Sequence, residues 1–258
     1  MAEAYYLPKG NTYEATELTR GPWDPRYQHG GPPAALIGRE AERLAGDAHM
    51  LARLTLEFLR PVPIGPVLLQ ASVLRAGKSV MQIGVAMSAG DEEVARATVL
   101  MMRRRRVELP PLAPASHGFP LPDESAPWSF PFFEREVGYH TSVELRLAGG
   151  DFGSGRATVW FRVRQELVAG EPLSPSARAL VAADSGNGIS LLLDHRRYLF
   201  INPELSVHLM RMPETEWVGL DSRTDAFSHG VGLSDSRLFD ERGLIGHGCQ
   251  SLLVDERR

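Results

Sequence analysis

The chain has 258 residues, 43% of them hydrophobic and 23% charged, with a formal net charge of −4. That length and balance suit a soluble globular protein with a substantial core, and the negative charge argues against nucleic acid as the main partner. The lone Cys249 excludes an intrachain disulfide and fits a reducing cytoplasm, and no apolar run approaches the ~18 residues that a membrane span needs.

Met1 to Gly10 carries Glu3 and Lys9 and no long apolar stretch, so no signal peptide is expected. Pro32 to Leu44 is rich in helix formers, follows Gly30-Gly31 and stops before Gly46, which predicts a helix. Paired prolines suit its first turn, where the missing N–H groups would have no intrahelical partner. Leu54, Leu56 and Phe58 alternate with Thr55, Glu57 and Leu59, the period of a strand. Val67–Leu74, Val80–Met87 and Val94–Met102 continue an antiparallel meander, broken at Pro61-Val62-Pro63, Ala76-Gly77-Lys78 and Ala89-Gly90-Asp91.

Residues 108–131 hold seven prolines, too many for a helix or an interior strand, and read as a linker. Beyond it the pattern restarts. Val137–Leu147 and Gly155–Gln165 are expected to be strands. Ser174-Pro175 opens a second helix, with serine as N-cap and proline at the first helical position. Tyr198–Arg211, Trp217–Thr224, Val231–Leu238 and Leu244–Val254 repeat the meander.

The second meander restates the first. Arg53-Leu54-Thr55-Leu56-Glu57-Phe58-Leu59-Arg60 returns as Glu204-Leu205-Ser206-Val207-His208-Leu209-Met210-Arg211, an offset of 151 residues. Val67 meets Val218 and Leu69 meets Leu220 at the same offset. A period this long reads as a duplicated domain. The expected division is therefore 1–107, linker 108–131 and 132–258, with both halves sharing one extended α+β sheet.

Several chemistries lack their signatures. There is no G-x-S-x-G elbow, no phosphate loop, no paired C-x-x-C, and no H-E-x-x-H or similar spacing among the eight histidines. No metal or cofactor is expected. Two segments remain. Gln28-His29-Gly30-Gly31 begins a helix, where free N–H groups attract negative charge and glycine lets a ligand approach, the equipment of an oxyanion hole. A plain turn with a capping histidine fits the same residues. Leu180-Val181-Ala182-Ala183-Asp184-Ser185 places an aspartate in a small, apolar stretch, where burial is costly unless the group is paired or used. A wet helix face is its bland alternative. One signal lies in each half, so a composite site would receive both.

H-G-G opening one helix and (L/V)-A-x-D inside another, on a chain duplicated end to end, resemble the double-hotdog acyl-CoA thioesterases of the thioesterase II type. The resemblance implies an α+β double hotdog: two antiparallel sheets, each around a central helix, joined edge to edge. It implies hydrolysis of an acyl-CoA thioester, with a place in fatty acid metabolism. In that family an aspartate, a threonine and a glutamine activate water. Carried over, these are Asp184, Asn202 in place of threonine, and Gln250, while His29, Gly30 and Gly31 would bind the substrate. A hotdog dehydratase or hydratase and a non-catalytic acyl-CoA or lipid binder are the alternatives. Joining two hotdogs in one chain supplies the usual two-fold contact within a monomer. The resemblance implies further association through the sheets, so a homodimer is expected, although Thr55, Glu57, Ser206 and His208 leave the exposed face mixed rather than clearly apolar.

Overall fold

The computed structural model describes residues 3–110 and 117–257, so residues 111–116 of the proline-rich segment lie outside the described residues. The first half runs β1 (Ala4–Lys9), β2 (Thr12–Ala15), a 3-10 turn at Glu17–Thr19, α1 (Gly31–Ala45), β3 (His49–Phe58), β4 (Pro66–Arg75), β5 (Val80–Ala89) and β6 (Glu92–Arg103). After a 3-10 turn at Pro122–Glu124 come β7 (Ala126–Trp128), α2 (Tyr139–Ser142), β8 (Val143–Asp151), β9 (Arg156–Val163) and β10 (Glu166–Val168). Then follow α3 (Pro175–Ala183), α4 (Gly186–Ile189), β11 (Tyr198–Ile201), β12 (Glu204–Leu209), β13 (Trp217–Ala226), β14 (Val231–Asp240) and β15 (Gly243–Glu256).

Among the described residues these strands form one sheet in the order β10-β1-β2-β4-β5-β6-β3-β12-β15-β14-β13-β9-β8-β7, with β11 also pairing β15. Its centre is the antiparallel pair β3–β12, where Leu54 faces Val207, Leu56 faces Leu205 and Thr55 faces Ser206. Under the 151-residue offset Thr55 and Ser206 are counterparts, and the pairs Leu54–Val207 and Leu56–Leu205 map onto each other, so the two halves meet through the same patch on both sides, about a local two-fold at Thr55–Ser206. Leu54, Leu56, Leu205 and Val207 are all fully buried, while Thr55 and Ser206 face the other way. Period-two alternation thus carries one apolar core continuously across the seam.

Both helices lie on that inner face and pack against each other. They approach closely because α1 presents glycine at Gly31 and, two turns later, Gly38. A Cβ on Gly31 would sit 2.3 Å from the Val181 carbonyl oxygen, and one on Gly38 would sit 2.5 Å from Leu180 Cδ1. α3 begins as its sequence demands, with the Ser174 hydroxyl accepting from Ala177 N–H at 3.1 Å. α1 has no such cap of its own, since Gly30 precedes it.

Some expectations need correction. The strand expected from Val137 starts at Val143, because Tyr139–Ser142 form a helical turn that buries the Tyr139 ring. The strand expected over Tyr198–Arg211 splits at Asn202-Pro203, where proline cannot donate to the ladder. Asp184 is not inside its helix but caps its C-terminus, with φ −68° and ψ −12°. The proline-rich segment contains β7, whose Pro127 is tolerated because the strand is the last in the sheet. β1, β2 and β10 had no clear sequence signal. β1 and β10 pair in parallel, Tyr6 opposite Val168, and tie the start of the chain to its second half.

A smaller cluster of Trp160, Trp217 and Phe239 covers the opposite face of the second half. Trp160 Nε1 donates to the Pro120 carbonyl at 2.9 Å, which pins the chain after residue 116 against that face. No helix among the described residues is long and apolar enough to cross a membrane.

Candidate active site

Because Asp184 ends α3 and α3 lies beside α1, the carboxylate arrives at the uncapped N-terminus of α1. A Cβ built on Gly30 would lie 2.8 Å from Asp184 Oδ2. A helix N-terminus favours a nearby anion, so each element supplies what the other lacks. The arrangement is reciprocal. At the other end, Ser176 Oγ donates to Glu42 Oε2 at 2.7 Å, which sets a carboxylate of α1 at the start of α3.

Asp184 is only 7% exposed, yet richly partnered. Asn202 Nδ2 donates to Oδ1 at 2.8 Å and Gln250 Nε2 donates to the same oxygen at 3.2 Å. Gln250 Nε2 also reaches the Asp184 main-chain carbonyl at 3.0 Å, and its Oε1 accepts from Asn187 N–H at 2.9 Å. Gln250 therefore clamps the break between α3 and α4. Removal from water pushes the Asp184 carboxyl up from 3.8 to about 7, against the opposing pull of Asn202, the Gly30 amide, Gln250 and the Gly31 amide. A carboxylate poised there can accept a proton near neutrality.

His29 Nδ1 stands 3.2 Å from Asp184 Oδ2. The contact is not an ion pair, because burial drives the imidazole down to about 3 and keeps it neutral. Its ring stacks on Tyr139 with centroids 3.8 Å apart and planes 1° from parallel. Tyr139 is itself fixed, its hydroxyl donating to the Val181 carbonyl at 3.0 Å and lying 2.8 Å from Ser185 Oγ.

Both amides face the Asp184 carboxylate closely enough to lower its pKa, and Gly31 N–H donates to His29 Nδ1 at 3.1 Å. Gly30 and Gly31 thus sit against Asp184 and His29, and Gly30 also lines a cavity. Their lack of side chains has a second cause, since Gly31 meets α3 directly.

Asp184, Asn202, His29 and Gly30 line one cavity of about 450 Å³, whereas Gln250 and Gly31 stand behind that lining. Its other walls are mostly apolar and aromatic: Trp23, Tyr27 and Phe58 from the first half, Phe130, Phe132 and Phe133 from the second. Trp23 stacks on Phe132 at 5.5 Å. Sequence reasoning missed these rings, although the dense run Trp128-Ser129-Phe130-Pro131-Phe132-Phe133 was a signal that a loop was covering something apolar. A cavity of this kind, apolar with a few convergent polar groups at one wall, suits a small organic ligand. No group of three or more His, Cys, Asp or Glu residues among the described residues could hold a metal ion.

Two family models match the chain. Residues 19–102 match the acyl-CoA thioesterase N-terminal domain, and residues 116–254 match the acyl-CoA thioesterase C-terminal domain. No curated protein matches the sequence. Among solved structures, a provisionally named thioesterase from Novosphingobium aromaticivorans DSM 12444 superposes with a TM-score of 0.78 at 24% identity, covering 96% of this chain and 98% of that one. A provisionally named thioesterase II from Thermobifida fusca YX gives 0.78 at 17% identity, covering 98% and 96%. An acyl-CoA thioesterase II from Mycobacterium marinum gives 0.68 at 17% identity, covering 96% and 93%. At these identities the likeness is one of fold.

Proposed function

From the premise that this chain belongs to the acyl-CoA thioesterase family and has its α+β double-hotdog fold, we propose that Asp184 activates the water that hydrolyses the thioester. The observation that carries the reading is a buried carboxyl raised to about 7 at the polar wall of an apolar cavity. The acyl-CoA thioester enters with its acyl group among the aromatic rings. Asp184 takes a proton from water as the water oxygen bonds to the carbonyl carbon. The tetrahedral intermediate collapses, the C–S bond breaks, and coenzyme A leaves as a thiolate that is then protonated. Asp184 returns its proton to solvent. Asn202 uses one amide N–H on Asp184 and offers its amide oxygen to the water, where the family pattern has threonine. Gln250 lies behind Asp184 and holds its angle, so it acts on the base rather than on the water itself. The protein is expected to work in the cytoplasm, on acyl-CoA of fatty acid metabolism.

Release of free thiol from a panel of acyl-CoAs tests this directly. The kcat/KM should rise with pH through an apparent pKa near the value of about 7 that burial gives Asp184, since only the ionised form accepts a proton. A parent protein that binds acyl-CoA without releasing thiol would instead be a binder.

The role of Asn202 has its own sign. Its N–H favours the ionised carboxylate, so Asn202→Ala should raise the pH at which activity appears. One lost hydrogen bond to a charged group costs roughly 1.5–3 kcal/mol, so activity at neutral pH should fall by about tenfold or more. Part of that loss should return at alkaline pH. A loss of the same size at every pH would refute the electrostatic role.

A further inference from the structure

The cavity holds one polar side chain that the hydrolytic step leaves idle. Asn187 is 5% exposed and lines the cavity together with Asp184. Among the described residues that bury a side-chain nitrogen or oxygen without a hydrogen-bond partner, it alone lines that cavity, and the atom is its carboxamide oxygen, Oδ1. A buried acceptor without a donor is costly, so this one calls for a partner that arrives with the ligand. Its place relative to the base is fixed. The Gln250 carboxamide spans the two residues, Nε2 donating to Asp184 Oδ1 at 3.2 Å and Oε1 accepting from Asn187 N–H at 2.9 Å. The next residue, Gly188, also lines the cavity, and an added Cβ there would lie 3.5 Å from the Phe132 ring and 3.7 Å from that of Phe130. Asn187 thus stands where the polar wall gives way to the aromatic one.

We propose that Asn187 recognises the thiol arm of the substrate, its Oδ1 accepting from the pantetheine amide N–H that lies two carbons from the thioester sulfur in coenzyme A. This deepens the hydrolytic reading given above and rests on it. Oδ1 needs a donor, and the reacting groups offer it none. The thioester carbonyl carries no hydrogen, and the two hydrogens of the attacking water go to Asp184 and to the Asn202 amide oxygen. The pantetheine N–H is the nearest donor that every acyl-CoA brings, whatever its acyl chain. A hydrogen bond there sets the sulfur, and with it the carbonyl carbon, in front of Asp184. It also selects the thiol. A site made around a substrate N–H rejects an analogue that lacks it, because the buried acceptor is then left bare.

The test compares two full-length substrates that carry the same acyl group: the acyl-CoA itself, and an analogue in which an ester oxygen replaces that single N–H. The parent should release thiol from the first with a kcat/KM about tenfold or more above the second. In Asn187→Leu, close in size but without an acceptor, the ratio should fall to about one, mainly through loss on the acyl-CoA. The variant should melt no lower than the parent, because leucine removes a buried polar atom that had no partner. Asn187→Ala should give the same ratio and serves if the leucine variant does not fold. A parental ratio near one, or a variant that keeps the parental ratio, overturns the assignment. So does an equal loss on both substrates, the mark of a contact with the acyl carbonyl or of a structural role. A parent that releases thiol from neither substrate overturns the hydrolytic reading and this one with it. One that cleaves both alike overturns this one alone.

Discussion

Asp184→Asn is expected to lower turnover by about 10²–10⁴-fold, the usual contribution of a general base, while the protein remains folded. Asparagine copies the protonated acid. Its amide oxygen can accept from Asn202 and Gln250 in place of Oδ1. The same change should stabilise the protein at alkaline pH. The folded-state pKa of Asp184 is raised from 3.8 to about 7, so between those values the folded state holds a proton that the unfolded chain has released. Stability from this group is full below the lower value and is lost as pH rises through the upper one, a cost on the order of 4 kcal/mol if the whole shift is realised. Asparagine does not titrate. The variant should therefore melt above the parent at alkaline pH, with the gap closing on acidification through the window between the two values. Parental thiol release by Asp184→Asn would end the general-base assignment, and a gap that widens on acidification would contradict the burial argument.

Gly31→Ala is expected to be strongly destabilising for a single added methyl. The new Cβ would lie 2.3 Å from the Val181 carbonyl oxygen and 3.1–3.2 Å from two further backbone atoms of the same residue, so no side chain can swing aside. Relief requires α1 and α3 to move apart, which opens the shared core and draws Asp184 off the α1 N-terminus. Overpacking typically costs 1–3 kcal/mol, and a backbone-on-backbone clash belongs at about 3 kcal/mol or beyond. Gly149→Ala is the control, because its Cβ would meet only Thr158, at 3.9–4.0 Å. Urea midpoints should drop sharply for the first and hardly at all for the second. Equal midpoints would mean that the helices do not touch at Gly31.

The sequence revealed whatever rested on local chemistry. Ser174 and Pro175 announced α3 because a hydroxyl cap and a missing N–H suit a first helical turn, and the repeated alternation at Leu54 and Leu205 marked the strands that pair at the centre of the sheet. β1, β2, β7 and β10 were hidden because they are short, three to six residues each, and β10 pairs with β1 at the far end of the chain. Asp184, Asn202 and Gln250 could be nominated one by one. Their depth could not be read, and depth decides their parts: Asn202 reaches the cavity, whereas Gln250 is 2% exposed and reaches only Asp184 and Asn187. The contact between His29 and Asp184 spans the two halves, so no local spacing encodes it. The pair of glycines was legible as an invitation to close approach. That α3 and its carboxylate would approach them so closely required the fold.

The seam between β3 and β12 joins two counterparts within one polypeptide, and this changes what a mutation can do. In an assembly of two identical chains, every substitution strikes both copies of a site at once, so neither helix start could change its character without the other. Here the inheritance is separate. One helix start keeps bare glycines for Asp184, and the other has taken a serine cap with Ser176 against Glu42. Each half is thereby released from serving as its own partner, and chemistry and scaffolding can drift in opposite directions from one ancestral surface.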